Sequence, residues 1–346
     1  MSEQHTLEVR KDNWGETRLV SEPLAAELAE NEVLIKIDRQ ALTANNITYA
    51  ASGDLLGYWG FFPAEDGWGR IPAMGWGDVV ASAHPGIPVG DRVWGFFPFS
   101  THLKILAGKV SDQQFSDVSA HREEYAPVYC QFTRAAANPI YEQAREDQDS
   151  LLRGLFMTSW LVEDFMDVSD AYGASACLIT SASSKTSIAL AYCVKQRGEL
   201  ESVGLTSAGN VAFCESLGCY DKVVTYEDIA GLDASRTVVM VDMAGSAQVL
   251  SDAHNHFGDN MKYSCRVVAT HYEEMGAVEG LPGAEQEFFF SPGHIQTRSK
   301  ELGAAELMMS LGGAYVGFLR FCDDCLKVDR SYVPEGIAAV YKSVLQ

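Results

Sequence analysis

Residues Ala176–Arg197 read ACLITSASSKTSIALAYCVKQR, and the fold follows from how this stretch is parsed. Ala176–Thr180 is a short continuous apolar run, as a strand buried on both faces requires. Small hydroxyl residues follow, and Ser187–Arg197 then shows apolar positions at helical spacing. A strand that turns through small residues into a helix opens a doubly wound α/β unit. The cadence continues downstream. Val203–Thr206 reads as a strand, Val211–Leu217 as a helix, and Val223–Val224, Thr237–Asp242, Arg266–Thr270 and Glu287–Phe290 as further short strands. This order predicts a parallel sheet with right-handed crossovers.

The texture is different before about Ser150. Glu32–Ile37 and Gly90–Gly95 alternate with period two, and Ala73–Ala83 reads as a glycine-punctuated strand pair. These runs predict a compact, partly open, barrel-like β domain ahead of the α/β domain. From about Gly303 the character is mixed helix and strand, over a segment too long for a simple tail on the sheet.

The chain has 346 residues, of which 47% are hydrophobic, enough for one large core or two medium ones. Its net charge of -21 opposes nucleic acid and anionic membranes. The partners indicated are therefore a small-molecule substrate and a second copy of the chain. No apolar run reaches the roughly 20 residues of a membrane span, and Met1–Lys11 is polar, without a signal-peptide core. The eight cysteines are scattered, several in apolar contexts where a free thiol packs as a small hydrophobe. The reading is a reduced, cytoplasmic protein. The pair Cys322-Asp-Asp-Cys325 lacks the second pair of a zinc site, and its acidic neighbours raise a thiol pKa, which favours a structural or neutral role.

A parallel sheet of this kind binds its ligand beyond the carboxyl ends of its strands, so the turn Thr180–Ser187 is the place to look. Glycines usually occupy it; here Ser181, Ser184 and Ser187 stand at i, i+3 and i+6. A serine hydroxyl can donate to phosphate, and the replacement is tolerable where φ stays negative. A helix beginning near Lys185 adds its partial positive charge, and Lys185 adds a full one beside Thr186. Ser184-Lys185-Thr186 also looks like the tail of a P-loop, but the glycines of that motif are missing. An ordinary serine-rich N-cap without ligand accounts for the turn equally well. At the end of the next strand, Leu205-Thr206-Ser207 has no carboxylate to clasp the ribose of NAD(H). The hydroxyls of Thr206 and Ser207 suit a 2′-phosphate, which tilts the cofactor to NADP(H). The aromatic run Tyr58–Phe62 and Trp94–Phe99 reads as core packing before it reads as a flat-substrate pocket. His254 and His256, spaced i, i+2, diverge on a helix and cannot share a metal.

Taken in order, Ala41–Gly53 (ALTANNITYAASG), Gly75–Ala81 (GWGDVVA), Val89–Gly95 (VGDRVWG), Leu178–Ser187, Leu217-Gly218 with Val223–Tyr226, and Val241–Gly245 (VDMAG) resemble the medium-chain dehydrogenase/reductase superfamily. The likeness is to its zinc-free quinone-oxidoreductase branch, and within the group to a divergent family of unknown function, DUF2855. The resemblance implies a GroES-like β-rich catalytic domain over 1–150, a Rossmann-type nucleotide-binding domain over 151–300, and a C-terminal return to the catalytic domain over 301–346. It further implies an NADP(H)-dependent oxidoreductase reducing an enone, quinone or ketone by hydride transfer, as a homodimer formed through edge strands. Carried over by position, Tyr49 faces nicotinamide and substrate, with Thr43, Asn45 and Asn46 on the same loop. Thr158 approaches the cofactor at the start of the linking helix, and Tyr226 lies against the adenosine phosphate. His271, at the end of the fifth strand, is a proton relay near the nicotinamide or a surface histidine without a role.

Zinc-dependent relatives carry a cysteine in the first loop and His-Glu after the glycine at Gly75. This chain has Asn45 and Asn46 in the loop and Trp76-Gly77 after the glycine, and lacks the four-cysteine lobe. Without metal, the charge developing on the hydride acceptor requires hydrogen-bond donors, a role assigned to Tyr49 assisted by Asn46. The family's lysine for the 2′-phosphate is replaced by Asn210. Two other functions stay open: a non-catalytic protein that keeps the fold without the reaction, for instance a nucleotide-sensing or stabilising subunit, and a reductase of a carrier-bound acyl substrate.

Overall fold

Two units make up the chain, Met1–Leu151 with Lys327–Gln346, and Leu152–Leu326, in a computed structural model that describes residues 3–267, 280–332 and 335–345. In the first unit, β1 (Glu3–Arg10) and β2 (Thr17–Pro23) form a small antiparallel sheet. Then come β3 (Glu32–Gln40), α1 (Ala44–Ala51), β4 (Trp68–Gly69), which pairs with β1, and β5 (Pro72–Ser82). The remaining strands are β6 (Arg92–Pro98), β7 (His102–Gly108), β8 (Gln114–Asp117) and β9 (Gln131–Arg134).

Strands β3-β5-β6-β9-β8-β7 close into a barrel. It closes, rather than staying partly open, because β3 pairs antiparallel with both β5 and β7. Val33, Ile35, Val79, Val93, Phe97 and Phe132 fill the interior. The expected strand pair at 73–83 is one continuous strand. Its glycines do not break it; they let β3 come close. A Cβ on Gly75 would lie 2.3 Å from the Arg39 carbonyl oxygen, and one on Gly77 would lie 2.8 Å from that of Lys36.

Helix α2 (Glu146–Val168) begins with a carboxylate that is 1% exposed. Arg92 donates to Glu146 from Nε at 2.9 Å and Nη2 at 2.6 Å, and the Tyr141 hydroxyl donates at 2.8 Å. Arg39 stands 3.3 Å away. A charge so buried is tolerable only when its lone pairs are filled in this way.

The second unit carries β10 (Ala176–Ile179), α3 (Lys185–Arg197), β11 (Glu201–Thr206), α4 (Val211–Ser216), β12 (Lys222–Thr225), β13 (Val238–Asp242), α5 (Ala247–Phe257), β14 (Met261–Arg266) and β15 (Gln286–Phe288). The strands form a wholly parallel sheet in the order β12-β11-β10-β13-β14-β15, so the order reverses between β10 and β13. Leu178, Val203 and Met240 pack on Leu250, Ala253 and Phe257 of α5. The fifth strand lies earlier than its apolar pattern predicts, ending at Arg266, and Val268–Thr270 fall outside the described residues. Ser264 interrupts the apolar pattern but is buried all the same, because its hydroxyl pairs with His254 at 3.0 Å.

Helices α6 (Ser291–Leu302) and α7 (Ala304–Cys322) belong to this unit, so the return to the first unit begins at Lys327 rather than at 301. The reason is the apolar face of α7. Phe318 stacks on Phe156 of α2 at 5.0 Å and packs against Tyr192 of α3 at 5.4 Å. The last helix, α8 (Glu335–Leu345), sets Ile337 and Tyr341 among Leu7, Val9 and Trp59 of the first unit. Among the described residues the segment after Gly303 is helical without a strand. No single described helix is long and apolar enough to cross a membrane.

Glu146→Ala strips the acceptor from two arginines and a tyrosine, and should cost about 3–5 kcal/mol of stability in urea unfolding. A loss below about 1 kcal/mol would mean that water replaces the carboxylate without penalty.

Candidate functional site

Where the strand order reverses, Thr180 follows β10 and Asp242 ends β13, and both are 1% exposed or less. The Thr180 hydroxyl donates to Asp242 Oδ1 at 2.8 Å and accepts the N–H groups of Met243 and Ala244 at 2.8 and 3.1 Å. Asp242 Oδ1 also accepts from the N–H groups of Ala244 and Gly245, each at 3.0 Å. Arg266, at the end of β14, stands 3.7 Å from Oδ2 and offsets the charge.

The turn after Thr180 departs from expectation at Ser181, whose φ is +51°. This is the left-handed region where glycine is usual, and a side chain there costs about 1–2 kcal/mol. The Ser181 N–H is held by the Tyr226 hydroxyl at 3.1 Å, so Tyr226 and the turn do meet. Ala182 is fully buried, its carbonyl accepting the Tyr220 hydroxyl at 2.8 Å.

Ser184 is the N-cap of α3: its oxygen accepts the Ser187 N–H at 3.2 Å and donates to the Ser187 hydroxyl at 2.8 Å. Ser187 in turn donates to the Thr180 carbonyl at 2.7 Å. The hydroxyls at 184 and 187 therefore hold the turn together, and neither is left to donate to phosphate.

The first turn of α3 keeps other donors. The backbone N–H groups of Lys185 and Thr186 have no acceptor among the described residues, as the first turn of a helix leaves them. Thr186 itself is buried, its carbonyl accepting the Ser159 hydroxyl at 2.7 Å. Lys185 is partly buried, its pKa is lowered by that burial, and no carboxylate pairs with it among the described residues. A cation at the positive end of a helix is unfavourable on its own, and an anion at that point relieves it.

The other predicted residues divide. Thr206 is buried and hydrogen-bonded with the Cys214 thiol, whereas Ser207 is exposed and accepts from Asn210 Nδ2 at 3.1 Å. Thr158 is not at a helix start; it stands midway along α2 and donates to the Gly154 carbonyl at 3.2 Å. His271 lies outside the described residues.

In the first unit, Tyr49 on α1 stacks on Tyr58 at 4.4 Å and meets the Phe96 ring edge-on at 5.8 Å. Burial raises its pKa, Tyr129 raises it further, and a hydrogen bond with the Asn45 side chain opposes them, so the phenol is neutral near pH 7. The Asn46 amide is engaged elsewhere. Its Oδ1 accepts the Thr43 N–H at 2.7 Å in a capping box, and its Nδ2 donates to the Pro72 carbonyl at 2.9 Å. The amide at Tyr49 is Asn45, four residues earlier on the same helix face.

Sequence reasoning missed Tyr58 and Tyr129, whose hydroxyls hydrogen-bond beside Tyr49. Tyr58 was visible only as one ring of an aromatic run, and its neighbours Trp59, Phe61 and Phe62 are indeed buried packing. His254 is a satisfied core residue, with Nδ1 donating to the Pro282 carbonyl and Nε2 accepting from Ser264, each at 3.0 Å. Among the described residues no group of three or more His, Cys, Asp or Glu side chains is arranged to hold a metal.

The profile of the family described as "Protein of unknown function (DUF2855)" matches residues 40–346. No curated protein matches the sequence. Among solved structures, a candidate NADPH:quinone reductase of Mesorhizobium loti superposes with a TM-score of 0.60 at 14% identity, covering 100% of this chain and 96% of that one. The heterodimeric mitochondrial 2-enoyl thioester reductase of Candida tropicalis gives 0.57 at 11% identity, covering 99% and 96%. CurA of Vibrio vulnificus gives 0.54 at 12% identity, covering 90% and 88%. Identities this low establish a common fold.

Because Ser181 occupies a glycine conformation, Ser181→Gly should stabilise the second unit by up to about 1 kcal/mol, read as a higher thermal midpoint. A lower midpoint would show that the serine side chain contributes more than its backbone strain costs.

Proposed function

The chain belongs to the DUF2855 family, and for it we propose a zinc-independent, NADP(H)-dependent reductase of an enone, quinone or ketone. The observation that carries this reading is Lys185, a partly buried cation without a carboxylate partner among the described residues, at the first turn of the helix that follows the switch-point strand. That arrangement fits a dinucleotide phosphate. The N–H groups of Lys185 and Thr186 and the Lys185 ammonium bind it, and Tyr226 supports the turn through Ser181. Ser207 and Asn210, at the end of β11, are the polar groups available to a 2′-phosphate. NADPH, when bound, supplies the hydride.

Tyr49 has the role of donor to the substrate oxygen: burial keeps its proton in place, and Asn45 orients the hydroxyl. Zinc independence rests on what stands at the family's ligand positions, namely Asn45, Asn46 and a Trp76 that is 1% exposed in the barrel wall. A second reading, a non-catalytic protein that keeps the fold, is favoured by the hydroxyls of Ser184 and Ser187 closing on one another, which leaves neither for a phosphate. The eight free thiols suit a cytoplasmic location.

Titration of the purified protein with NADPH and NADH, followed by tryptophan fluorescence, tests the cofactor assignment. NADPH should bind more tightly, and Lys185→Ala should weaken it roughly tenfold, the worth of one charge-assisted contact. Unchanged affinity in the variant would sink the assignment of the turn. Tyr49→Phe should lower turnover of enones or quinones roughly 100-fold while NADPH affinity holds. A normal rate leaves the tyrosine as scaffold, and binding without turnover in the unmodified protein favours the non-catalytic reading.

The homodimer has its own support. Strand β15 is the edge of the sheet, and Phe288 and Phe290 are 63% and 60% exposed beside it. An open apolar edge of this kind invites pairing with a second copy. Sedimentation should give a dimer that Phe288→Lys converts to monomer; a monomeric unmodified protein would exclude the pairing.

A further inference from the structure

Independent of the reductase reading, the second unit gathers thiols at the point where the chain leaves it. Helix α7 ends at Cys322, and the next residues turn back on it. The N–H groups of Cys325 and Leu326 both donate to the Cys322 carbonyl, at 3.2 and 3.0 Å. An i to i+3 turn of this kind keeps its end Cα atoms within about 7 Å, and disulfides span roughly 4.4–6.8 Å between Cα atoms. The Cys325 thiol donates back to the Phe321 carbonyl at 3.7 Å, on the residue next to Cys322, and the two thiols influence each other's titration.

Cys322 is 1% exposed, while Cys325 is partly open to solvent and gives an oxidant its way in. A third thiol, Cys219, is 2% exposed and within electrostatic reach of both. These groups do not form a metal cage among the described residues. Burial and the acidic spacer raise both thiols, which slows attack; the turn that brings residues 322 and 325 together favours the bond once the more open Cys325 has reacted.

We propose that Cys322 and Cys325 form a reversible dithiol–disulfide pair, oxidised by a low-molecular-weight disulfide. The Cys325 thiolate attacks one sulfur of that disulfide, forming a mixed disulfide and releasing one small thiol. The Cys322 thiolate then attacks the Cys325 sulfur, closing the intramolecular bond and expelling the second small thiol. Two protein thiols are oxidised, one small disulfide is reduced, and the two protein protons end on the two released thiols. The bond fastens the last turn of α7 just before Lys327, where the chain returns to the first unit. It also removes the Cys325 thiol from the Phe321 carbonyl.

The test uses the full-length protein and oxidised glutathione as the probe. After exposure, acid quench, alkylation in denaturant and trypsin digestion, the peptide Phe321–Lys327 holds both cysteines and no other. Most of it should run two hydrogens lighter and without alkyl groups, and should return to the doubly alkylated form after dithiothreitol. A doubly alkylated peptide, a persistent glutathione adduct, or a cross-link to the peptide of Cys219 would each overturn the pairing. Cys325→Ser changes the more exposed partner and should leave Cys322 alkylatable after the same treatment. A Cys322–Cys219 bond formed with equal yield in that variant would overturn the assignment of Cys325.

Discussion

The joint between Thr180 and Asp242 governs the geometry of the second unit. A carboxylate buried at a sheet end is very costly unless its oxygens are filled by donors. One hydroxyl and two backbone N–H groups fill Oδ1, with Arg266 opposite Oδ2. Because Thr180 also accepts from Met243 and Ala244, strands β10 and β13 are tied at the place where their order reverses. The direction of the following turn depends on this tie. The Thr180 carbonyl receives Ser187, which ties the first turn of α3 to the strand end, and the intervening backbone passes through a left-handed residue at Ser181.

Serine in place of glycine changes what such a turn offers an anion. Glycines leave backbone N–H groups open and bring no side chains. Here Tyr226 takes the Ser181 N–H, and Ser184 and Ser187 satisfy each other. The remaining attraction is concentrated on the helix N-terminus and on Lys185, a cation kept in a protein whose net charge is -21. The surrounding acidity weakens any field that would draw an anion from a distance, so the phosphate proposed for this turn would be held by local contacts.

Neighbouring amides in the first unit illustrate how little residue type alone decides. Asn45 and Asn46 are chemically identical, yet one side chain turns to Tyr49 and the other closes a capping box and anchors to Pro72. Position in the helix makes the difference: Asn46 is the third residue after the N-cap, so its amide is taken by the Thr43 N–H and the Pro72 carbonyl, which leaves Asn45 to Tyr49.

By itself the sequence determined the α/β cadence, the β-rich first unit and the helix at Lys185. Strands buried on both faces must be apolar throughout, and helices buried on one face must repeat at their own period. The interruption at Ser264 hid β14, because a hydroxyl there is tolerated only through His254 on the facing helix. Tertiary structure alone made 72–82 a single strand, through the approach of β3 to Gly75 and Gly77. It also kept α7 with the second unit, bent Ser181 to a positive φ, and chose Asn45 over Asn46. Each of these depends on contacts between residues distant in the chain or on which way a side chain points, and local periodicity carries no information about either.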